Sequence, residues 1–282
     1  MILKPENLKL GKRNNMPDSA TVYVSQTKDR VGFIKKVFEI FAPKLAGLRV
    51  LLKPNVVSAE AYPTTTHPDT LGTLLDLLAD RQVTVADAAA ADLLRPGKAI
   101  KDHGLARLCR SKGRDLTDLY ERAATGWTSS RGFELKLSAL PLKQDCIVSL
   151  PVLKSHVNVR LTGAVKNQFG YLARTERGRL HFGRDLLHQG IAECTVFARP
   201  RLFILDAVQT LVGANEMRHG GRIQKLGWML AGEDPVALDA FGLTLLARLE
   251  PKLQGLIPRD LPYLRLAQEY GLGTFEYKVE EV

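Results

Sequence analysis

Polar and apolar positions alternate with two distinct periods along this chain. Residues 21–25 (Thr-Val-Tyr-Val-Ser) alternate every second position, as a half-buried strand does. Val31, Ile34, Val37, Phe38, Phe41 and Leu45 then recur at helical spacing. A short apolar run at 49–52 stops at Lys53-Pro54-Asn55, and 68–81 reads as an amphipathic helix. Residues 83–86 form a second buried run ending at Asp87, and 100–112 looks helical. Further apolar runs lie at 146–150, at 202–205 ending in Asp206, and at 226–230; the last precedes a helical pattern over 235–249. Continuous apolar strands separated by helices predict an α/β fold, a mainly parallel sheet with helices on both faces. The reading is of a single domain over 21–250, with an N-terminal extension at 1–20. An irregular insertion at about 122–140 is read as an antiparallel excursion. Residues 251–282, with Pro251, Pro258 and Pro262, are read as a C-terminal loop and helix.

The polar residues at the strand ends change this from a scaffold to a candidate site. Lys53, Asn55, Asp87, Lys154, His156 and Asp206 all follow apolar runs. In an open parallel sheet, ligands bind beyond the carboxyl ends of the strands. Asp and Asn also end strands because they suit turns and cap helices. Lys53 has no such reason to stand between a buried strand and a proline. Thr66-His67-Pro68 marks a helix start with His67 as its cap. The plain alternative there is an ordinary capped helix.

The densest segment runs from 150 to 170 and holds Lys154, His156, Asn158, Arg160, Thr162, Lys166 and Asn167 among small and apolar residues. Thr162 and Lys166 lie one helical turn apart. Lysines and an imidazole converging on one cleft neutralise a carboxylate or phosphate and lower one another's pKa values. A lysine so depressed serves as base or nucleophile. Asp234-Pro235 reads as a helix cap. Asp239 falls on the apolar face of that helix, where it needs a partner, expected to be one of the lysines. The expected catalytic residues are His67, His156, Lys154 and Lys166. The expected substrate-binding residues are Lys53, Asn55, Thr66, Asn167, Asp87, Asp206, Asp234 and Asp239.

Composition narrows the partners. The chain has 282 residues, 45% hydrophobic and 25% charged, as globular proteins have. Forty Lys and Arg against thirty Asp and Glu leave a net charge of +10, which attracts anions. No long basic run, aromatic-rich RNA-binding strand or zinc-finger spacing points to nucleic acid. Cys109, Cys146 and Cys194 are far apart and form no Cys-x-x-Cys pair. That argues against an iron–sulfur cluster within the chain and for a reducing, cytoplasmic compartment. The basic stretch 1–15 lacks the apolar core of a secretory signal, and apolar stretches such as 71–78 are too short to span a bilayer.

Lys53-Pro-Asn, Thr66-His67-Pro, Leu150-Pro-x-x-Lys-x-His, Leu161-Thr-Gly-Ala-Val-Lys-Asn-x-Phe-Gly170, Leu205-Asp-Ala and Glu233-Asp-Pro-Val-Ala-Leu-Asp-Ala occur in this order. They resemble the motifs of the DUF362 family over roughly residues 20 to 250, most specifically over 154–170. The resemblance implies that Lys53, Asn55, Thr66, His67, Lys154, His156, Lys166, Asn167, Asp206, Asp234 and Asp239 share a site, and it offers His181 as a further family histidine. It names no reaction. Many relatives carry a ferredoxin-like four-iron–four-sulfur module, and this chain lacks its cysteine motif.

Three functions follow as expectations. The first is an enzyme acting on a small anionic metabolite, a carboxylate or phosphate. The second is a metal-dependent or redox-linked enzyme with a divalent metal on His67, His156, His181 and a carboxylate; no His-x-His or His-x-x-x-His spacing supports it. The third is a non-catalytic accessory protein that binds an acidic redox partner or nucleic acid, with a steep salt dependence.

Overall fold

The computed structural model describes residues 2–3, 19–183 and 186–282; most of the expected N-terminal extension lies outside them. Of that extension only the backbone of β1 (Ile2–Leu3) and residues 19–20 are described. The first half of the fold comprises β2 (Ala20–Gln26), α1 (Arg30–Leu45), β3 (Val50–Pro54), α2 (Pro68–Leu77), β4 (Val83–Asp87), α3 (Pro96–Lys101), α4 (Gly104–Ser111) and β5 (Leu116–Asp118). The middle holds β6 (Ala124–Thr128), β7 (Glu134–Ser138), β8 (Cys146–Leu150), β9 (Lys154–His156), β10 (Arg160–Thr162), α5 (Ala164–Asn167), α6 (Arg174–Phe182) and α7 (Leu186–Ala198). β11 (Leu202–Val212), β12 (Arg222–Gly232), α8 (Pro235–Leu246), α9 (Pro262–Glu269) and β13 (Tyr277–Glu281) complete it.

The main sheet has eight strands in the order β13-β2-β12-β11-β8-β3-β4-β5. Only β12 runs against its neighbours; every other pairing is parallel. The architecture is α/β, with a mainly parallel sheet. Side chains alternate across it. Val50, Leu52, Val148 and Ile204 pack with α1, α2 and α4 on one face. Leu51, Ile147, Phe203 and Leu205 pack with α5, α7, α8 and α9 on the other. Both faces are therefore covered, which is why the strands read as unbroken apolar runs.

Four local readings change. The strand expected at 226–230 is eleven residues long and antiparallel, forming a hairpin with β11 that runs out to Val212 and Arg222. The helix expected at 100–112 breaks at His103, whose ring caps α4 by accepting from Leu105 N at 3.0 Å. Thr162 is the last residue of β10, so it does not share a helical turn with Lys166. The segment after 251 supplies a strand as well as a helix: β13 lies parallel to β2 at the sheet edge. Residues 124–138 form an antiparallel hairpin, β6–β7, joined in parallel by β1. No helix among the described residues is long and apolar enough to cross a membrane.

Candidate active site

The parallel strands β3, β4, β8 and β11 end along one edge, and a cavity of about 700 Å³ opens there. Its floor starts with Lys53, the fourth residue of β3. Lys53 Nζ lies 2.6 Å from Asp87 Oδ1 at the end of β4, and both side chains are fully buried. The same ammonium donates to the Pro54 carbonyl at 3.0 Å, and Asp87 accepts from Val56 N at 2.6 Å. Burial pulls the Lys53 pKa down, against the pull of Asp87. The pair sits beneath Gly170. A β-carbon at 170 would lie 2.7 Å from Lys53 Nζ and closer still to Asp87, so only glycine closes this floor.

Lys154 is buried beside it on β9. Its ammonium donates to Asn55 Oδ1 at 3.0 Å and to the Thr64 carbonyl. Among the described residues no carboxylate lies within ion-pair reach of it, and burial lowers its pKa to about 8 against the pull of Glu216, Glu60 and Asp87. Lys166, on α5, rests over the Phe169 ring at 4.1 Å. Its ammonium makes no hydrogen bond or ion pair among the described residues. Burial lowers its pKa to about 7, and the nearby positive charges of Arg177, Lys154 and Lys53 push the same way. Asn167 braces the floor by donating to Ser149 Oγ at 2.9 Å and to the Lys53 carbonyl at 3.3 Å.

Two histidines line the cavity with opposite tautomers. His156 Nδ1 accepts from Asn158 N at 3.1 Å, so the neutral ring carries its proton on Nε2. Burial drives the His156 pKa well below its ordinary value, and Lys166 and the other cations add to this. His181 Nδ1 donates to the Arg177 carbonyl at 2.8 Å, which leaves its Nε2 a lone pair. Its pKa is lowered by burial as well. The pair thus offers one proton donor and one acceptor to the same space.

Sequence reasoning missed Arg177. It lies in Arg174-Thr-Glu-Arg-Gly-Arg, which reads as a solvated charged face. Instead Arg177 is buried, and it donates to the Ala89, Ala88 and Gly170 carbonyls at 2.8, 3.1 and 2.9 Å. It too has no carboxylate partner among the described residues. His219 on the β11–β12 turn also lines the cavity and went unnoticed; its Nε2 lies 3.4 Å from Asp92.

Of the expected site residues, Lys53, Asn55, Asp87, Lys154, His156, Lys166, Asn167 and His181 line this cavity. Thr66, His67, Asp206, Asp234 and Asp239 do not. Thr66 Oγ1 accepts from Asn55 N at 2.8 Å and donates to the Leu150 carbonyl at 2.7 Å, so it ties two strand ends together. His67 caps α2, accepting from Asp69 N at 3.1 Å, and packs its ring edge-on against Tyr62. Asp206 is buried against Arg30 at 2.6 Å and accepts from Tyr62 Oη at 2.7 Å. Asp234 caps α8 at Val236 N and Ala237 N, both 2.9 Å. Asp239 does not pair with a lysine. Its carboxyl takes the Ala164 and Val165 amides at the start of α5 and so aims the helix that carries Lys166. Burial raises its pKa to about 7, although those two amides pull it down. The metal set of His67, His156 and His181 is not assembled, because His67 lies outside the cavity. Among the described residues no group of three or more His, Cys, Asp and Glu is placed to hold a metal ion.

Residues 50–244 match a family described as a domain of unknown function, DUF362. The chain belongs to the DUF362 family. The DUF362 match contains every cavity residue named above, from Lys53 to His219, whereas Arg30 precedes it. A thylakoid-associated protein of Synechocystis is 29% identical over 214 residues, which is 73% of this chain. The match spans 64% of that protein's length. The lactate racemase apoprotein of Thermoanaerobacterium thermosaccharolyticum superposes with a TM-score of 0.48 at 14% identity, over 79% of this chain and 57% of its own.

Proposed function

We propose that this DUF362 chain is an enzyme whose cavity binds the carboxylate or phosphate of a small anionic substrate between Lys154, Lys166 and Arg177. One observation carries the reading: three cations face or floor one cavity, and none has a carboxylate partner among the described residues. Burying a charge without a counter-ion is expensive, and a bound anion removes the expense. The Lys53–Asp87 pair is closed on itself and serves as a rigid floor. His156 offers a hydrogen bond from Nε2–H to a bound oxygen, and His181 offers the lone pair of its Nε2. Lys166 titrates near neutrality, so it can hold negative charge that develops on a reacting oxygen or itself exchange a proton.

Calorimetric titration with inorganic phosphate, sulfate and citrate tests the reading. The wild type is expected to bind at one site per chain. Lys166→Met and Lys154→Met should each weaken binding at least about tenfold, the scale of one charge-assisted hydrogen bond. Lys44→Met, which removes an exposed lysine paired with Glu233, should change nothing. Absence of binding by the wild type, or equal binding by Lys166→Met, overturns the proposal.

A further inference from the structure

The cavity is two-toned along its depth. Its inner end holds the buried Lys53, Lys154, Asp87 and Asn167, with Lys166 above them. Val57, Ala88, Ala90, Ala91 and Phe169 give its sides an apolar stretch, beside polar lining that includes Asn158, Asn215, Asp92 and Glu216. At the mouth stand Val157, 60% exposed in the β9–β10 turn, and Phe182, 92% exposed at the end of α6. Single exposed apolar residues are ordinary on protein surfaces. These two come from separate segments and line the same opening. A volume of about 700 Å³ falls in the range that takes drug-sized ligands. An inorganic oxyanion or a two-carbon acid would satisfy the lysines and leave the apolar sides and mouth against water. A purely apolar ligand would leave the lysines without an anion.

We propose that the natural ligand is an amphiphile, with an anionic head on Lys154 and Lys166 and an apolar chain or ring running past Phe169 to Val157 and Phe182. This rests on the anion-binding reading above and names the substrate class for the same site. Phe169 then does two jobs. Its face holds the Lys166 ammonium at 4.1 Å, and it meets the His181 ring in a T-shaped pair with centroids 5.4 Å apart. The first apolar atoms of the ligand therefore pass the two groups that would act on the head.

The test is a calorimetric series of inorganic sulfate and the alkyl sulfates from ethyl to octyl, kept below their micelle concentrations. From ethyl to octyl the sulfate ester stays a monoanion, so only the chain changes; inorganic sulfate, a dianion, serves as the chain-free competitor. Affinity should rise about two- to fourfold per added methylene, the gain expected on burying a CH₂ group, at one site per chain. Inorganic sulfate should compete. The double variant Val157→Ser, Phe182→Ser alters only exposed side chains. It should bind inorganic sulfate as the wild type does and lose most of the chain-length dependence. Sulfate binding that is intact but independent of chain length overturns the amphiphile and leaves the anion site standing. Failure of sulfate and every alkyl sulfate to bind overturns both. Sedimentation with phosphatidic-acid vesicles separates the sources. Pelleting that the double variant abolishes supports a chain drawn from a lipid; octyl sulfate binding without pelleting supports a soluble amphiphile.

Discussion

Two polar clusters sit at the same sheet edge, and they are built from the same residue types. Around Asp206, the carboxylate takes Arg30 Nε at 2.6 Å, Tyr62 Oη at 2.7 Å and Val208 N at 3.0 Å, and the Tyr62 hydroxyl accepts from Gln209 N at 2.6 Å. Arg30 also stacks on the Tyr62 ring at 4.6 Å, and His67 packs beside it. Charge and hydrogen-bonding capacity are matched there, and the cluster clamps α1, the 55–66 loop and β11 together. Around Lys166, cations exceed carboxylates and the polar groups open on a cavity. Position at the carboxyl edge of a sheet therefore does not by itself make a site. Unmatched charge beside a cavity is what sets the Lys166 cluster apart as the candidate.

Breaking each cluster should give opposite results. The largest expected effect is on stability at the clamp. Asp206→Ala strips a buried Arg30 of its partner and should lose about 3–5 kcal/mol in urea denaturation. Lys53→Met should behave alike, because it leaves Asp87 buried and unpaired. Lys166→Met is the contrast. It removes a charge that no carboxylate among the described residues pairs with, so the same denaturation experiment should show unchanged or higher stability.

The next effect is on pH dependence. Burial lowers Lys166 to about 7 and Lys154 to about 8, so both lose their protons as pH rises through 7 to 8. Sulfate affinity should fall over that interval. Without ligand the sign reverses. The unfolded chain keeps these lysines protonated to about pH 10, whereas the folded chain releases the protons earlier. Folding stability should therefore rise with pH above 7. Comparison of wild-type and Lys166→Met melting temperatures from pH 6.5 to 9 isolates this rise, which the variant should show in smaller degree.

The smallest effect is expected at His67. His67→Ala removes a helix cap and should cost about 1 kcal/mol, with sulfate affinity unchanged in calorimetry. A large loss of sulfate affinity in this variant would merge the two clusters into one site.

Much of this was legible in the chain. Unbroken apolar runs placed β3, β4, β8 and the start of β11, and a lysine between a strand and a proline exposed Lys53 as out of place. The need of Asp239 for a buried partner was legible too. Its partner was not, because free amides at a helix start leave no mark in residue identities. That Asp206 stands apart from the cavity was hidden in the same way: its partner Arg30 lies 176 residues off in the chain, and only the fold brings it close. Arg177 was hidden because backbone carbonyls, not acidic side chains, hold it. The antiparallel β12 escaped because periodicity carries no strand direction.

The most direct measurement is the proton uptake that accompanies sulfate binding at pH 8, obtained by calorimetry in buffers of different ionisation enthalpy. If buried, unmatched lysines form the anion site, sulfate binding must recharge them. The wild type should then take up a substantial fraction of a proton per site, and Lys166→Met clearly less. Binding without proton uptake, or uptake equal in the two proteins, would contradict the account.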